Sequence, residues 1–445
     1  MNAILNNLGF VIKHFETIKE WLSSNEFKTR YKDENHPYPS LLDPNKLKDI
    51  NEELNYHSID ANLAWELNLP LPDNYEFVFL TNGSCGHMSM FLYFKLCNIY
   101  RNWMANSEKD LYKIAFNIYN KSNTTYNIFS YQGSRIMPKL FSLVNKKTPL
   151  LVLVRDPIEM IKSFTNHIVK HILKFNLTYD YNKVLKNLYW NLQDSPSLDK
   201  IPTFIESYFK ISSKINYFTK TNLKIFIDTK DLIGEKCFNT MCNLSKIFHF
   251  NHPIENQKDY FITPFVSKVM DMLPLVLIIH SKDFNNIFSK NKINIQNDES
   301  LFLSGGIEVI ITFKKMAFYQ NQENLIDVTN ILLNKKYNIE EDILFLIKQQ
   351  DYKKLKNYCH ISSIRQYLNE FMECFSSKIS EEKLKLYNAN DILNYFKGNT
   401  LLRQKLKAIL DEELTYIKQQ RPDIVASWKY YQEFEKMCEE LDGGS

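Results

Sequence analysis

The stretch YEFVFLTNGSCGHMS at residues 75–89 runs from an apolar segment through a glycine-containing turn into a helical pattern. Two more apolar runs follow, LKIFI at 223–227 and PLLVLV at 149–154, and the latter is continuously apolar, as a strand covered on both faces should be. Helical patterns come after the three runs, at residues 88–105, 158–175 and 237–248. This repetition predicts βαβ units and an α/β fold with a parallel sheet, and it leaves open whether residues 304–311 add a strand.

Helical segments flank the predicted α/β core on both sides. Residues 1–72 show helical patterns and loops broken by prolines, and residues 73–330 hold the core. Residues 331–441 have helical spacing almost throughout, including the apolar run at 343–346. The prediction is therefore a helical N-terminal segment, an α/β core and a helical C-terminal region, with a cloning remnant at 442–445.

Composition and charge narrow the class of protein. The 445 residues are 44% hydrophobic and 24% charged, and the net charge of +4 is too small and too dispersed to predict nucleic-acid binding. Seven scattered cysteines without a CxxC pair suit a reducing cytosol and argue against zinc. The longest apolar run, 272–279, is too short to span a membrane, and charges interrupt the amphipathic pattern of residues 1–22, unlike a signal peptide. We expect a cytoplasmic protein without a metal.

The first candidate for chemistry is the turn after the first predicted strand, which contains Gly83, Ser84, Cys85 and Gly86. A glycine turn that leads into a helix exposes backbone N–H groups and the positive end of the helix dipole, which suits a phosphate or sulfate. The turn is not a Walker A loop, because GxxxxGK[ST] is absent. A tight turn without any ligand is an equally good interpretation.

The second candidate is Arg155, at the carboxyl end of the 149–154 run, where open α/β sheets place ligand contacts. Asp156 fits a helix N-cap and Pro157 fits the first helical turn. Ser163 lies about two helical turns further on, so its hydroxyl and the guanidinium of Arg155 are predicted to clamp one phosphate. The alternative is a structural Arg–Asp capping pair without a ligand.

Three pieces in this order resemble the sulfotransferase family. They are the strand, glycine loop and helix at 75–89, the strand–Arg–x–Pro with its later serine, and KIFIDTKDL at 224–232 with the helix after it. The resemblance covers about residues 75–255. It implies a sulfotransferase-like, P-loop-type parallel sheet whose first loop holds the 5′-phosphosulfate of a nucleotide donor. It also implies that Arg155 and Ser163 hold the donor's 3′-phosphate.

Two departures from the family pattern concern the transferred group. Ser84 stands where the usual loop has a lysine or arginine, which normally stabilises charge on the leaving group. The familiar catalytic histidine between two strands is also missing from SYQGSR at 130–135. His87, at the start of the helix, is predicted to replace the cation as a donor or to act as the base. Recognition of a 3′-phosphate is thus retained, whereas the transferred group is open to chemistry other than sulfate.

A narrower resemblance, which includes QRPDIVASWKYY at 420–431, is to bacterial proteins that modify capsular polysaccharide, among them O-methyl phosphoramidate transferases. It implies a donor built on 3′-phosphorylated cytidine with the phosphoramidate on its 5′-diphosphate, and a capsular sugar hydroxyl as the acceptor. It also implies work in the cytoplasm at the inner face of the membrane, in peripheral association with the capsule machinery. The alternative is a carbohydrate sulfotransferase that uses 3′-phosphoadenylylsulfate.

Either reaction needs a base for the acceptor hydroxyl and positive charge near the leaving group. His87 is the first candidate for the base, and His167, four residues after Ser163 on the same helix face, is the second. A surface pair of His167 with His171 is an equally good interpretation. Two further candidates for phosphate contacts, or plain solvated charges, are Arg135 and Lys162. No metal is required if arginine, lysine and helix-dipole donors stabilise the leaving group.

Two other classes of protein stay open at this point. A P-loop kinase is disfavoured because the loop has no lysine and no GK[ST] ending. A non-catalytic scaffold would use the C-terminal helices to hold partners, and an occluded Arg155–Ser163 pocket would favour it. Three aromatic residues are candidates for stacking on an acceptor sugar, although such residues are more often core: Trp428, Tyr430 and Tyr431.

Overall fold

The structure is a computed structural model that describes residues 2–121, 125–145, 147–167, 173–177, 181, 195–218, 220–263, 272–280, 306–335, 337, 342–357 and 361–443. Contacts between residues divide the chain into two compact units. The first consists of Met1–Ile161, Pro202–Ile262 and Phe396–Ser445, and the second of Lys162–Ile201 and Thr263–Tyr395. The segment boundaries predicted from the sequence, after residues 72 and 330, fall inside these units rather than between them.

The first unit is built on a five-stranded parallel sheet. In spatial order its strands are β2 (Ile99–Arg101), β3 (Tyr126–Tyr131), β1 (Phe77–Thr81), β4 (Leu150–Val154) and β6 (Lys224–Asp228). All neighbouring pairs are parallel, with Val78 opposite Leu150 and Leu150 opposite Lys224. Every residue of β1 and β4 is buried, as expected for strands with helices on both faces. The three predicted strands and the α/β class with a parallel sheet are confirmed.

The helices lie around this sheet and in the second unit. The described ones before β4 are α1 (Asn2–Leu5), α2 (Leu8–Lys13), α3 (Phe15–Ser23), α4 (Asn25–Phe27), α5 (Ala61–Glu66), α6 (His87–Leu96), α7 (Glu108–Lys121) and α8 (Pro138–Leu143). Those that follow, up to residue 262, are α9 (Pro157–Thr165), α10 (Ile201–Tyr208), α11 (Ile211–Ile215), α12 (Glu235–Phe248) and α13 (Lys258–Ile262). The later ones are α14 (Lys314–Tyr319), α15 (Thr329–Leu332), α16 (Tyr352–Lys356), α17 (Ile361–Leu384), α18 (Ala389–Lys397), α19 (Thr400–Glu413), α20 (Thr415–Gln420), α21 (Pro422–Ala426) and α22 (Lys429–Asp442).

The second unit contains a mixed five-stranded sheet. Its order is β5 (Leu173–Asn176), β7 (Leu275–Ile279), β8 (Ile307–Phe313), β10 (Ile343–Ile347) and β9 (Ile326–Asp327). Strands β5 and β7 are parallel, and the other neighbours are antiparallel. The sequence left open whether residues 304–311 form a strand. Strand β8 does form from Ile307 onward, and residues 304 and 305 lie outside the described residues.

Three helical predictions were wrong in extent or type. The helix predicted at 88–105 ends at Leu96, because Asn98 adopts a left-handed conformation (φ 55°) and the next residues pair with β3. The pattern at 343–346 is strand β10, since β8 supplies an antiparallel partner that is remote in sequence. The N-terminal pattern over residues 1–22 is divided among α1, α2 and α3, with breaks at Asn7 and His14.

The helix predicted at 158–175 stops at Thr165. The side chain of Asn166 then bonds to the backbone of Tyr387, and both residues belong to the second unit. Asn166 Nδ2 donates to Tyr387 O at 2.8 Å, and Tyr387 N donates to Asn166 Oδ1 at 3.0 Å. This pairing uses the amide as a substitute for a backbone partner. Residues 173–176 form β5 beside β7 rather than continuing the helix.

Buried carboxylates attach the C-terminal segment of the first unit to its sheet. Asp156, directly after β4, accepts from Ile158 N at 2.9 Å, which confirms the predicted N-cap of α9. The same carboxylate accepts from Tyr430 N at 3.1 Å and Tyr431 N at 3.2 Å, so it also caps α22. At the far end of α22, Asp442 accepts from Nε and Nη2 of Arg403, so this residue of the predicted remnant takes part in the fold.

Within the described residues, none of the helices combines the length and the hydropathy that crossing a bilayer requires.

We expect Asp156→Ala to lower the free energy of unfolding by about 2–4 kcal/mol, because two helix N-termini lose their acceptor at once. Urea denaturation followed by circular dichroism measures the loss. Asp60→Ala is the matched control: Asp60 is an exposed cap of α5 alone, accepting from Asn62 N and Leu63 N, and its loss should cost about 1 kcal/mol. Equal losses in the two variants would show that Asp156 does not hold α22.

Candidate functional site

The carboxyl edge of the parallel sheet carries a polar residue after each strand. Because parallel strands all end at the same edge, these residues belong to one surface of the first unit. In spatial order from β2 to β6 they are Asn102, Gln132, Asn82, Arg155 and Thr229. The loop predicted to bind phosphate follows β1, the central strand of this sheet.

The loop after β1 has a conformation that needs small residues. Ser84 and Gly86 have positive φ values of 64° and 85°, and Gly86 immediately precedes the first residue of α6. A Cβ at Gly83 would lie 2.8 Å from the ring of Tyr208, and one at Gly86 would lie 3.1 Å from Thr229 Cγ2. The loop is therefore packed tightly against other elements, and its two glycines permit that close approach.

Arg155 contacts this loop directly. Its Nη1 donates to Ser84 O at 2.9 Å, and its Nη2 donates to the carboxylate of Glu159 at 2.9 Å, one turn further along the chain. The Arg155 side chain is 21% exposed. The structure thus brings together the loop and the arginine that the sequence singled out separately. Any anion that binds Arg155 must compete with Glu159.

Thr229 ties the same loop to the neighbouring strand. Its hydroxyl lies 2.7 Å from Cys85 O and 3.0 Å from Val154 O, so one proton is shared between two carbonyl oxygens. The stretch KIFIDTKDL at 224–232 was predicted only as part of a family resemblance, in which Thr229 had no role. A polar residue directly after an apolar strand was the signal that pointed to it.

Lys214 is a second residue at this loop that was not predicted from the sequence. It lies on α11, is fully buried, and donates from Nζ to Thr81 O at 2.8 Å and to Asn82 Oδ1 at 2.9 Å. Burial lowers its pKa to about 7. A lysine placed three residues after the buried Ile211, on the apolar face of a helix, was the available signal.

These contacts orient the peptide groups of the loop. The carbonyl oxygens of Thr81, Ser84 and Cys85 accept from Lys214, Arg155 and Thr229. In a planar trans peptide the N–H points opposite to the C=O. The N–H groups of Cys85 and Gly86 therefore point away from Arg155 and Thr229, and no hydrogen bond within the described residues takes them up. They are available to an anion at the N-terminus of α6.

The side chain of Cys85 does not belong to a binding surface. It is 1% exposed, and its thiol lies 3.4 Å from the sulfur of Met160. Burial raises the pKa of this thiol above its ordinary value, so the thiolate is disfavoured. Only the backbone of Cys85 can take part in binding.

The candidate base His87 is the first residue of α6, as the sequence predicted, and it is half-buried. Its ring packs edge-on against Phe91, with centroids 5.6 Å apart. This places an imidazole on the same turn as the oriented N–H groups of the loop.

Arg135 lies in the turn after β3. Its side chain is exposed, while its carbonyl oxygen accepts from the hydroxyl of Tyr131 at 2.6 Å. A Cβ at Gly133 would collide with that hydroxyl, so glycine is needed for the turn to wrap around Tyr131. The structure shows no ligand role for the Arg135 guanidinium, and its assignment to phosphate stays a prediction.

Lys162, Ser163 and His167 fall in the second unit, whereas Arg155 and the loop fall in the first. Each of the three makes at least one interaction of its own. The phosphate clamp of Arg155 with Ser163 and the role of His167 as base therefore stay predictions. The proposed partner of His167, His171, lies outside the described residues.

Two of the three aromatic residues named as candidates for stacking on sugar are core residues, which was the alternative interpretation. Trp428 is fully buried and donates from Nε1 to Asp228 at 2.6 Å, and Tyr431 is 2% exposed. Burial raises the pKa of the Asp228 carboxyl above its ordinary value. The stacking interpretation of Trp428 and Tyr431 is wrong, because the C-terminal segment inserts them against the ends of β4 and β6. Tyr430 is half-buried.

A cavity of about 420 Å³ lies elsewhere in the first unit. Residues that precede β1, β4 and β6 line it, among them Asp73, Asn145 and Lys220. It is therefore at the amino edge of the sheet, away from the loop after β1. In the described part of the chain, no group of three or more His, Cys, Asp or Glu residues is arranged to hold a metal ion.

Comparison with known families matches residues 226–441 to a family described as "Protein of unknown function (DUF2972)". The match begins in β6 and ends in α22, so the loop after β1 and Arg155 lie outside it. No curated protein and no solved structure matches the chain.

Lys214 leads to a prediction about pH. An unfolded chain keeps the lysine proton up to its ordinary pKa of 10.5, whereas the folded protein releases it near pH 7. Between these values the unfolded state binds more protons, so the stability of the parent should rise with pH relative to Lys214→Met, by up to about 1.4 kcal/mol per pH unit.

Urea unfolding at pH 7, 8 and 9 measures this difference. Lys210→Met is the control, since Lys210 is one turn away and 35% exposed, and it should follow the parent. Parallel pH curves for the parent and Lys214→Met would contradict the burial of an ionisable amine beneath the loop.

Proposed function

We propose that the protein is a group transferase that binds a 3′-phosphorylated nucleotide donor at the loop after β1. The observation that carries this proposal is the bond from Arg155 Nη1 to Ser84 O, which joins the ends of two adjacent parallel strands at the N-terminus of α6. Phosphates bind at such places because backbone N–H groups, a helix dipole and a guanidinium act on the same anion.

The preferred donor is a cytidine-type 3′-phosphonucleotide that carries an O-methyl phosphoramidate on its 5′-diphosphate, and the acceptor is a sugar hydroxyl of a capsular polysaccharide. Two features of the sequence support this donor. One is its resemblance to O-methyl phosphoramidate transferases, and the other is Ser84, which stands where sulfotransferases have a lysine or arginine in the loop. In place of that cation, Lys214 donates hydrogen bonds beneath the loop to Thr81 O and Asn82 Oδ1, and it is not exposed to the ligand. Work in the cytoplasm, at the inner face of the membrane, belongs to the same proposal.

The chemical step is an in-line displacement at phosphorus. The acceptor hydroxyl oxygen forms a bond to phosphorus while the bond from phosphorus to the bridging oxygen of the donor breaks. The electron pair of that bond leaves with the nucleotide, whose terminal phosphate gains a negative charge. The hydroxyl proton passes to the imidazole of His87. The N–H groups of Cys85 and Gly86 stabilise the charge on the leaving phosphate, and the guanidinium of Arg155 holds the 3′-phosphate of the donor.

The alternative donor is 3′-phosphoadenylylsulfate, with sulfur in place of phosphorus and a carbohydrate hydroxyl as the acceptor. The pieces that resemble sulfotransferases favour it, because they lie on the same loop, on Arg155 and on the stretch containing Thr229. The two donors differ in their base and in the transferred group, so a nucleotide panel separates them.

The test is calorimetric binding of cytidine 3′-phosphate 5′-diphosphate, adenosine 3′,5′-bisphosphate and the two nucleotides without the 3′-phosphate. We expect the cytidine compound to bind best and to lose its affinity without the 3′-phosphate. Arg155→Ala should weaken binding by about 10- to 100-fold, because charge-assisted hydrogen bonds to the phosphate are lost. Arg365→Ala is the control, since Arg365 also donates to a backbone carbonyl, that of Ile331 in the second unit.

A preference for the adenosine compound would assign the protein to sulfate transfer. If the parent binds no nucleotide, or if Arg155→Ala binds as well as the parent, the donor site is refuted. The non-catalytic scaffold would then be the preferred interpretation.

Glu159→Gln separates a phosphate ligand from a structural ion pair. If Arg155 binds the donor, removal of the competing carboxylate should strengthen nucleotide binding by about threefold or more, since a single charge near a partly buried guanidinium is worth of the order of 1 kcal/mol. The same calorimetric titration measures it. Unchanged or weaker binding in a folded Glu159→Gln variant would mean that Arg155 serves the fold alone.

A further inference from the structure

An exposed aromatic residue follows the edge strand β2, at the same carboxyl edge as the loop. Trp103 is 65% exposed, although tryptophan is highly buried on average. Met104, next to it, is also exposed. An exposed indole at this edge of the sheet is unexplained by packing within the described part of the chain.

The ring of Trp103 is nonetheless held in place. The Arg101 guanidinium lies 4.9 Å from the centroid of the Trp103 ring and 3.6 Å from that of Phe91, which is 3% exposed. Arg101 therefore lies between a buried and an exposed aromatic ring and attracts both. Its Nη1 also donates to Asn102 O at 3.1 Å, which fixes the cation beside the backbone of this segment.

The backbone that carries Trp103 is anchored by its neighbour Asn102. This residue is 1% exposed, and its Nδ2 donates to Ser130 O at 3.0 Å. Its Oδ1 accepts from Ser130 N at 2.7 Å and from the hydroxyl of Tyr119 at 3.1 Å. With donor and acceptor both used, Asn102 attaches the segment to β3. The exposed indole is consequently a pre-ordered surface, which binds a ligand at a lower entropic cost than a mobile one.

Trp103 lies on the side of β1 that is opposite to Arg155, and this position decides which end of a bound donor would face it. Strands β3 and β2 lie on one side of β1, and β4, which carries Arg155, lies on the other. A donor with its 3′-phosphate at Arg155 and its 5′-phosphates on the loop presents its transferable group toward β3 and β2. The contacts of His87 with Phe91, and of Phe91 with Arg101, lead from the proposed base toward Trp103.

We propose that Trp103 and Arg101 form a platform for a sugar ring of the acceptor glycan. The inference rests on the proposed function, because the donor's orientation identifies this side as the acceptor side. An exposed indole face suits the apolar face of a pyranose, and Arg101 holds that indole in place. The platform takes the place of Trp428 and Tyr431, which are buried.

The test uses the full chain labelled with 5-fluorotryptophan and titrated with methyl glycosides of galactose, N-acetylgalactosamine and glucose. Trp103→Phe assigns the fluorine signal of Trp103 among the five tryptophans of the chain. We expect at least one glycoside to move this signal saturably. Saturation-transfer measurements should show binding about tenfold weaker in Trp103→Ala.

Tyr100→Ala is the matched control, because Tyr100 is 55% exposed on β2 and makes no part of the platform; it should bind sugar like the parent. If no glycoside moves the Trp103 signal, or if Trp103→Ala binds equally well, the platform is overturned. Movement of this signal by a nucleotide instead would assign the ring to the donor's base and overturn it too. If the parent protein binds a glycoside at Trp103 but binds no nucleotide in the calorimetric titration, the proposed donor is refuted and the platform is not.

Discussion

The carbonyl oxygens that follow β1 impose the constraint on which the candidate site depends. They lie where the central strand ends, so the sheet no longer supplies them with partners, and buried carbonyls must be satisfied. Side chains from α11, from the end of β4 and from the end of β6 do so. Because the carbonyls of Ser84 and Cys85 are turned toward Arg155 and Thr229, the N–H groups on the other side of these two peptides, those of Cys85 and Gly86, point away from the two side chains. The anion-binding character of the loop thus follows from how its carbonyls are satisfied.

The same edge of the sheet is used for stability as well as for binding. Asp156 follows β4 and accepts from the backbone N–H groups of Tyr430 and Tyr431 in the C-terminal segment. Asp228 is the last residue of β6 and accepts from the indole N–H of Trp428. Burial raises the pKa of both carboxyls, so their charge is costly and the hydrogen bonds offset it. The ends of β4 and β6 are thereby attached to the C-terminal segment, and the loop after β1 keeps its outward N–H groups.

The sequence predicted what local pattern decides. Strands β1, β4 and β6 are contiguous apolar runs, the glycine turn is local, and the Asp156 cap follows from its neighbours. Strands β2, β5 and β10 fall in stretches predicted as helical, because partners remote in the chain make strands of segments with helical spacing. Strands β3, β7 and β9 were not predicted either. Lys214 and Thr229 were missed for a similar reason: only folding brings their side chains to the loop. Whether an aromatic residue is exposed also depends on such partners, which is why the sequence left Trp428 open between core and sugar stacking and gave Trp103 no role.

The most direct measurement of the central claim is the amide spectrum of protein labelled with ¹⁵N-glycine and ¹⁵N-cysteine, recorded with and without cytidine 3′-phosphate 5′-diphosphate. The outward N–H groups of Cys85 and Gly86 should shift strongly on binding, because a phosphate oxygen would accept from them. Gly9, remote from the loop in sequence and placed on α2, should stay unchanged. A nucleotide that binds without moving the signals of Cys85 and Gly86 would contradict the account, since the phosphate would then lie elsewhere.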